Sequence, residues 1–349
     1  MKNDLDYAIS LIRQADSILI TAGAGMSVDS GLPDFRSSGG FWNAYPPLQK
    51  TGLNFAQTAT PQVYQDYPDI AYWFFGHRLN QYRNAIPHEG YQILKRWGEA
   101  KPNGYFVFTS NVDGQFQKAG FDHKRICEIH GTLHRLQCMK NCKGLTWSSD
   151  EFMPITDDEQ CKLLSDPPRC HYCNSLARQN VLMFNDYDFA NARYLIQKTH
   201  LQSWLARVNN LVVIELGAGK AVPTVRNFSE RTAKQKKAGF IRINNKEAGV
   251  PKMHFLSLEM NILNALKMLD ERLILAEFDE WIESNEHYRR VFPEVLTALT
   301  DNPERSISSL QRQFSLGFNS AIRMREMATL KLSHLPKNSQ NEPLVTEEK

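Results

Sequence analysis

A short apolar run that ends in two glycines sets what this chain can fold into. Ser17-Ile18-Leu19-Ile20-Thr21 is apolar and β-branched, and Gly23 and Gly25 follow at once. A strand ending in a glycine turn suits a nucleotide phosphate. Without side chains the backbone comes close to a pyrophosphate, and its N–H groups face the anion. A single Gly-x-Gly also occurs in ordinary strand–helix turns. Val28 stands where a dinucleotide fingerprint has its third glycine, and no acidic residue is placed to hold a ribose as in a dehydrogenase. The loop beyond carries more. Ser30-Gly31-Leu32-Pro33-Asp34-Phe35-Arg36 sets a charged pair and an aromatic ring on a loop stiffened by one proline. A plain connection has no need of that set.

Gly23-Ala24-Gly25-Met26-Ser27, the run Ser30 to Arg36 and then Gly40-Phe41-Trp42 resemble the sirtuin family of NAD-dependent protein deacylases. The resemblance continues in blocks to about Leu269. It implies that Ala22, Gly23, Ala24, Gly25 and Ser27, with Asp34, Phe35 and Arg36, form the cofactor loop.

At 349 residues the chain has room for one large domain and a smaller one. A net charge of +3 is too small to argue for nucleic acid by itself. No run of eighteen apolar residues is present to span a membrane, and Met1-Lys2-Asn3-Asp4 opens no secretory signal core. A cytoplasmic setting is the expectation, in which six cysteines point to metal or free thiols rather than disulfides.

Asp4 to Ala15 reads as a helix with Leu5, Ile9 and Ile12 on one face. Residues 43–100 read as largely helical, and Tyr72-Trp73-Phe74-Phe75 is most simply a buried patch. In sirtuins this helix borders the acyl pocket, where a Tyr-x-x-Arg pair marks members that remove acidic acyl groups. Here the matching positions are Phe75 and Arg78, so the arginine is present and the phenol is not.

Tyr105 to Thr109 is the next strand, ending in Ser110-Asn111-Val112-Asp113. Polar residues at the carboxyl end of such a strand sit where open α/β sheets bind ligands; Asn and Asp also cap helices. The family pattern is Thr-Gln-Asn-Ile-Asp, with Ser110 here replacing the glutamine. The resemblance implies that Asn111 orients the nicotinamide ribose and Asp113 holds the nicotinamide amide. Ile126 to Gly131 then brings His130 to a strand end, matching the family's Glu-x-His-Gly. A neutral imidazole suits a general base near neutral pH. His134 has no matching role.

Cys138-x3-Cys142 and Cys170-x2-Cys173 are two short-spaced pairs separated by a polar loop. That spacing is the ligand arrangement of a four-thiolate structural zinc site. The intervening sequence is too poor in apolar residues to fold around a core of its own. Cys127 and Cys161 are left over, Cys161 being the candidate for a substitute ligand.

Further on, Val181 to Asp186 stands where the family has an apolar run ending Phe-Gly-Glu, the strand that pairs with substrate peptide. Phe184 is kept, while Asn185 replaces glycine at a tight spot and Asp186 shortens the acid. Leu211 to Leu216 reads as a strand entering Gly217-Ala218-Gly219, where the family reads Gly-Thr-Ser and two hydroxyls are lost. Phe240 to Asn244 is a last strand. By resemblance its Asn244 bonds the adenosine ribose. A helix from Leu258 to about Leu269 would close the sheet.

Residues 271–290 read as a charged helical linker. Pro293 to Leu299 can open a helix on its proline, Ser306 to Phe314 a second and Ser320 to Leu330 a third, with a glycine turn at Ser315 to Phe318. This is the outline of a helix-turn-helix; a helical hairpin for dimerisation has the same outline. The segment resembles the winged-helix module of FtsK-type chromosome translocases, which implies contact with duplex DNA. Ala321, Met324 and Ala328 would face inward, leaving Asn319, Ser320 and Arg323 at the leading end. The tail after Lys337 is polar and reads as disordered.

The expected architecture is therefore α/β: a Rossmann-like parallel sheet with helices on both faces over 1–270, with a zinc module at about 132–180. After the linker come a winged-helix-like appendage at 291–336 and a tail at 337–349. The resemblance implies acyl transfer from a protein lysine to NAD with nicotinamide release, catalysed by His130 and Asn111. Glycohydrolysis or ADP-ribose transfer could use the same site, and an NAD-responsive DNA-binding protein is the third possibility.

Overall fold

The computed structural model describes residues 2–33, 45–49, 51–251 and 254–333. Asp34, Phe35, Arg36 and the Gly40-Phe41-Trp42 block lie outside the described residues. The chain divides into two compact units, Met1–Leu269 and Asp270–Lys349.

The first unit is built on six parallel strands. Their spatial order is Leu256–Leu258, Gly239–Ile243, Leu211–Leu216, Ser17–Ala22, Tyr105–Thr109 and Ile126–Glu128. Every residue of Ser17–Ala22, Tyr105–Thr109 and Leu211–Leu216 is buried, as a sheet covered on both faces requires. Leu19, Phe106, Val213 and Phe240 pack with Leu201 and Trp204 of the helix Ala192–Arg207 and with Val225 and Ala233 of the helix Thr224–Lys236. The helices Lys2–Gln14 and Glu89–Glu99 also lie against the sheet.

Strand order decides where a ligand can sit. From Ser17–Ala22 the chain moves outward through Tyr105–Thr109 to Ile126–Glu128, then returns to place Leu211–Leu216 on the other side of the first strand. The switch point lies between Ser17–Ala22 and Leu211–Leu216, the crevice in which open α/β sheets bind ligands.

A second, antiparallel sheet holds the metal module. Gly131–Cys138 pairs with Thr146–Ser148 on one side and Ala177–Val181 on the other. The helix Pro68–Asn84 supports it: Tyr72, Trp73, Phe74 and Phe75 are all buried in one cluster with Leu136 and Leu163. Trp73 Nε1 donates to Asp158 Oδ1 at 2.8 Å.

Two boundaries differ from those expected. Leu258 belongs to the sheet's edge strand, paired with Ile243, and the helix begins at Ile262. Residues 271–283 continue that helix, Ile262–Glu283, and the next one runs from Glu286 to Asp301. Pro293 is thus inside a helix rather than at its start. Asn285 sets the true start, its side chain accepting the Tyr288 N–H. Val291, Phe292, Val295 and Leu299 bury that helix against Phe278 and Phe314, which offsets the roughly 3 kcal/mol that a proline in a helix interior costs.

In the second unit the helices Ile307–Phe314 and Phe318–Ser333 follow. Ala321, Met324 and Ala328 are fully buried. Ser320 bonds Tyr288 Oη at 2.8 Å and the Arg323 guanidinium lies 4.5 Å from the Trp281 ring centroid. Two of the three residues expected at the leading end are therefore engaged inside the unit. Among the described residues no strand follows Leu258, and no helix is long and apolar enough to cross a membrane.

Candidate active site and metal centre

Two glycine loops meet at the switch point. A Cβ on Gly23 would lie 2.7 Å from Ala218 Cα, and one on Gly217, at φ +59°, would lie 2.5 Å from Gly25 Cα. The loops therefore touch backbone to backbone, with Gly25 N–H donating to Gly217 O at 3.1 Å. Gly23, Ala24, Ser27, Ala218 and Gly219 line a cavity of about 350 Å³. Ala22, Gly25 and Gly217 lie behind that wall as supports and not as part of it.

The strand Tyr105–Thr109 delivers the polar group to the same cavity. Ser110, Asn111 and Asp113 line it, as does His130 from the neighbouring strand end. Ser27 joins these segments. Its Oγ donates to Asp113 Oδ2 at 2.6 Å and accepts Asn111 Nδ2 at 3.2 Å, while Tyr91 Oη lies 3.0 Å away. Asn111 Nδ2 also donates to Gly23 O at 3.0 Å. Burial raises the Asp113 carboxyl above the ordinary carboxylate range, partly offset by hydrogen bonds from Ser27 and the Gln115 N–H. Tyr91 was not legible as a site residue, since it lies on a helix far along the chain.

His130 is half-buried. Burial lowers its pKa below 6.5, and a hydrogen bond to the Ser110 backbone works the other way. Burial thus favours the neutral imidazole. Gly131, at φ +75°, fixes its exit, because a Cβ there would lie 2.1 Å from Asn180 O. His134 is a buttress: its Nε2 lies 2.9 Å from Asp113 O.

The far wall of the cavity is apolar except at one place. Phe75, Arg78 and Tyr82 line it together with Leu32, Val112 and Met183. The Arg78 Nη2 donates to Tyr82 Oη at 2.7 Å. A phenol thus stands beside the arginine, supplied one helical turn later and not from position 75. Spacing of four on one helix could have revealed it.

The segment after Ala177–Val181 is irregular. Phe184 is exposed, lines the cavity and donates its N–H to Ala59 O at 2.9 Å. Asn185 has φ +56°, a left-handed conformation that Gly and Asn both adopt, and it is exposed. The expected tight spot is therefore a backbone demand that asparagine meets. Asp186 is buried in a bidentate pair with Arg178 at 2.8 Å. Asn244 is completely buried, its amide spent on Ala218 O, Lys246 N and Glu247 N. It shapes the glycine loop and is not a wall of the cavity.

In the metal module the sulfurs of Cys138, Cys142, Cys170 and Cys173 all lie within 4.8 Å of one another. The Cys138–Cys173 and Cys142–Cys170 sulfurs are 3.6 and 3.7 Å apart. Sulfurs bound at about 2.3 Å to one tetrahedral zinc lie about 3.8 Å apart, so donor set and spacing both fit zinc. Cys161 is instead buried in the apolar cluster beside Leu163 and is not a member of the four.

Fold and site define an α/β protein with a parallel six-stranded sheet and an inserted four-thiolate module. The chain belongs to the Sir2 family, whose match covers residues 23–213. It is similar to an NAD-dependent protein deacylase of Aquifex aeolicus, at 30% identity over 170 residues, 49% of this chain and 62% of that protein. A probable bifunctional ADP-ribose hydrolase/ADP-ribosyltransferase of Fusarium oxysporum is 30% identical over 257 residues, 69% of this chain and 42% of that protein. The chain thus spans less than two thirds of either relative. A solved Sir2 homologue–NAD complex shares the fold with a TM-score of 0.58, at 21% identity, covering 78% of this chain and 94% of that one.

Proposed function

We propose that this protein is an NAD-dependent protein lysine deacylase. The carrying observation is one cavity walled jointly by the glycine loops, by Asn111 and Asp113, and by His130. NAD fits this site on two counts: the side-chain-poor glycine loops at Gly23-Ala24 and Ala218-Gly219 leave backbone open to the cavity, and the polar groups of Asn111 and Asp113 converge on it. When bound, it supplies the ribose carbon that takes the acyl oxygen of an acyl-lysine as nicotinamide leaves.

The residues divide the work. The loops at Gly23-Ala24 and Ala218-Gly219 would hold the phosphates. Asp113 would bind the nicotinamide amide and Asn111 the adjoining ribose. His130 would accept a proton from a hydroxyl in the cavity, its burial favouring the neutral ring. Placement of this kind can supply roughly 7–11 kcal/mol of a barrier. Phe75 and the Arg78–Tyr82 pair would border the acyl chain, and Phe184 the peptide. Four thiolates must stay reduced to hold zinc, which supports a cytoplasmic setting.

A second reading, ADP-ribosyl transfer or NAD glycohydrolysis at the same site, draws on the Fusarium relative and on the absence of side-chain hydroxyls at Ala218-Gly219. Mass spectrometry of NAD products with and without an acyl-lysine peptide separates the two. Acylated ADP-ribose formed only with peptide supports deacylation. Free ADP-ribose at equal rates without peptide overturns it.

For residues 291–336 the proposal is contact with duplex DNA, supported by the helix-turn-helix outline and the exposed Arg312 and Asn319. A low-salt gel shift of the full chain against a 1–290 truncation tests it. Equal retention overturns it, and a fall from dimer to monomer mass in sedimentation equilibrium would point to dimerisation.

A further inference from the structure

The loop Gly217-Ala218-Gly219 has no side chain of its own with which to hold its shape. Glycine-rich backbone is also the most costly to order. Yet Ala218, Gly219, Ala221 and Val222 form one wall of the cavity. What fixes them comes from outside the loop. Ala218 O accepts Arg226 Nε at 3.1 Å and Asn244 Nδ2 at 3.0 Å. The same guanidinium reaches across with Nη2 to the Glu247 carbonyl. Glu247 answers with its carboxylate: Oε2 accepts the Lys220 N–H at 2.9 Å and lies 4.0 Å from Arg226 Nη2.

The connection therefore runs both ways. Arg226 ties the start of the loop to the turn after Gly239–Ile243, and Glu247 ties that turn back to Lys220. Arg226 is buried and is not itself a wall of the cavity. Its rigid fork can hold two carbonyls at once in fixed geometry, which the single ammonium of a lysine cannot do.

We propose that Arg226 and Glu247 are positioning residues for the cofactor, forming a clasp that sets the glycine loop where NAD binds. This rests on the NAD-dependent reading above. It assigns to two charged side chains the anchoring that a loop of alanine and glycine cannot provide for itself.

The test uses the full chain and two measurements. Amide hydrogen exchange of residues 218–222, without NAD, reads the clasp directly. Titration calorimetry with NAD reads its consequence. Arg226→Gln should speed exchange at these amides at least tenfold and weaken NAD binding at least tenfold. Arg226→Lys should not restore either, because charge without the fork cannot bridge both carbonyls. Unchanged exchange, or faster exchange with NAD affinity within twofold of wild type, overturns the proposal. So does full rescue by lysine, which would point to simple charge attraction. If Arg226→Gln does not fold, Glu247→Ala serves, since it leaves the Arg226–Ala218 bond in place. It should free the Lys220 amide and weaken NAD about threefold; wild-type values for both overturn the clasp. A wild-type chain that binds no NAD would remove the functional reading, and the exchange data would still report on the clasp.

Discussion

Ser27 Oγ donates a 2.6 Å hydrogen bond to Asp113 Oδ2 across two strand ends. With its proton committed there, Ser27 can only accept from Asn111 Nδ2 and Tyr91 Oη, so its hydrogen-bonding capacity is filled. One hydroxyl thus registers the first glycine loop against the two polar residues of the next strand.

Ser27→Ala removes all three bonds and strips a buried carboxyl of its hydroxyl donor. Such a loss costs about 1–3 kcal/mol. Denaturant unfolding should show a drop of that size, with the midpoint moving and the slope unchanged. The KM for NAD should rise as Asn111 and Asp113 lose register. A stability change near zero would contradict the network.

His130 must be neutral to act as a base, and burial lowers its pKa below 6.5. A group that works deprotonated loses activity as pH falls through its pKa, so the acid limb of kcat/KM should lie below pH 6.5. His130→Ala should abolish acyl transfer while NAD binding by calorimetry stays within a few fold of wild type. An acid limb above 6.5 would contradict the lowered His130 pKa.

Much of the site was legible because apolar runs end in residues that a strand does not need. Thr21 gives way to Gly23 and Gly25, Thr109 to Asn111 and Asp113, Glu128 to His130, and Leu216 to Gly217. Cysteine spacing marked the metal module in the same direct way. Tyr91 and Tyr82 were missed for another reason. They lie on helices, where a polar tip on an apolar ring reads as core until packing shows what it faces. Ser27 and Tyr91 are 64 residues apart, a separation no local pattern encodes. Arg226 and Glu247 likewise meet only once the sheet has formed. Pro293 misled because proline favours a helix start, and here tertiary burial of Val291 and Phe292 outweighs that preference.

The four-thiolate module should hold about one zinc per chain, measured by elemental analysis of protein prepared without chelators. Cys173→Ser or a strong chelator should lose the metal and loosen residues 132–180, because binding free energy at such sites is folding free energy. Proteolysis should then cut within 139–175 while the parallel sheet stays resistant. Undiminished protease resistance after complete metal removal would refute the structural role.

The Arg78–Tyr82 pair gives the last expectation its direction. Arg78 is buried and lines the cavity beside Phe75 and Met183, with Tyr82 Oη at 2.7 Å. A guanidinium in such surroundings favours a ligand carboxylate, since a charged hydrogen bond is worth about 1.5–3 kcal/mol. Acyl-lysine peptides ending in a carboxylate, such as succinyl-lysine, should therefore be preferred to acetyl-lysine. Arg78→Met should cut kcat/KM for the succinyl peptide roughly tenfold to a hundredfold, the range those energies imply, and leave the acetyl peptide within a few fold. Tyr82→Phe should act in the same direction and less, because it removes an oriented phenol and leaves the charge. Equal losses on both peptides would mean that Arg78 only supports the helix and reads nothing of the acyl group.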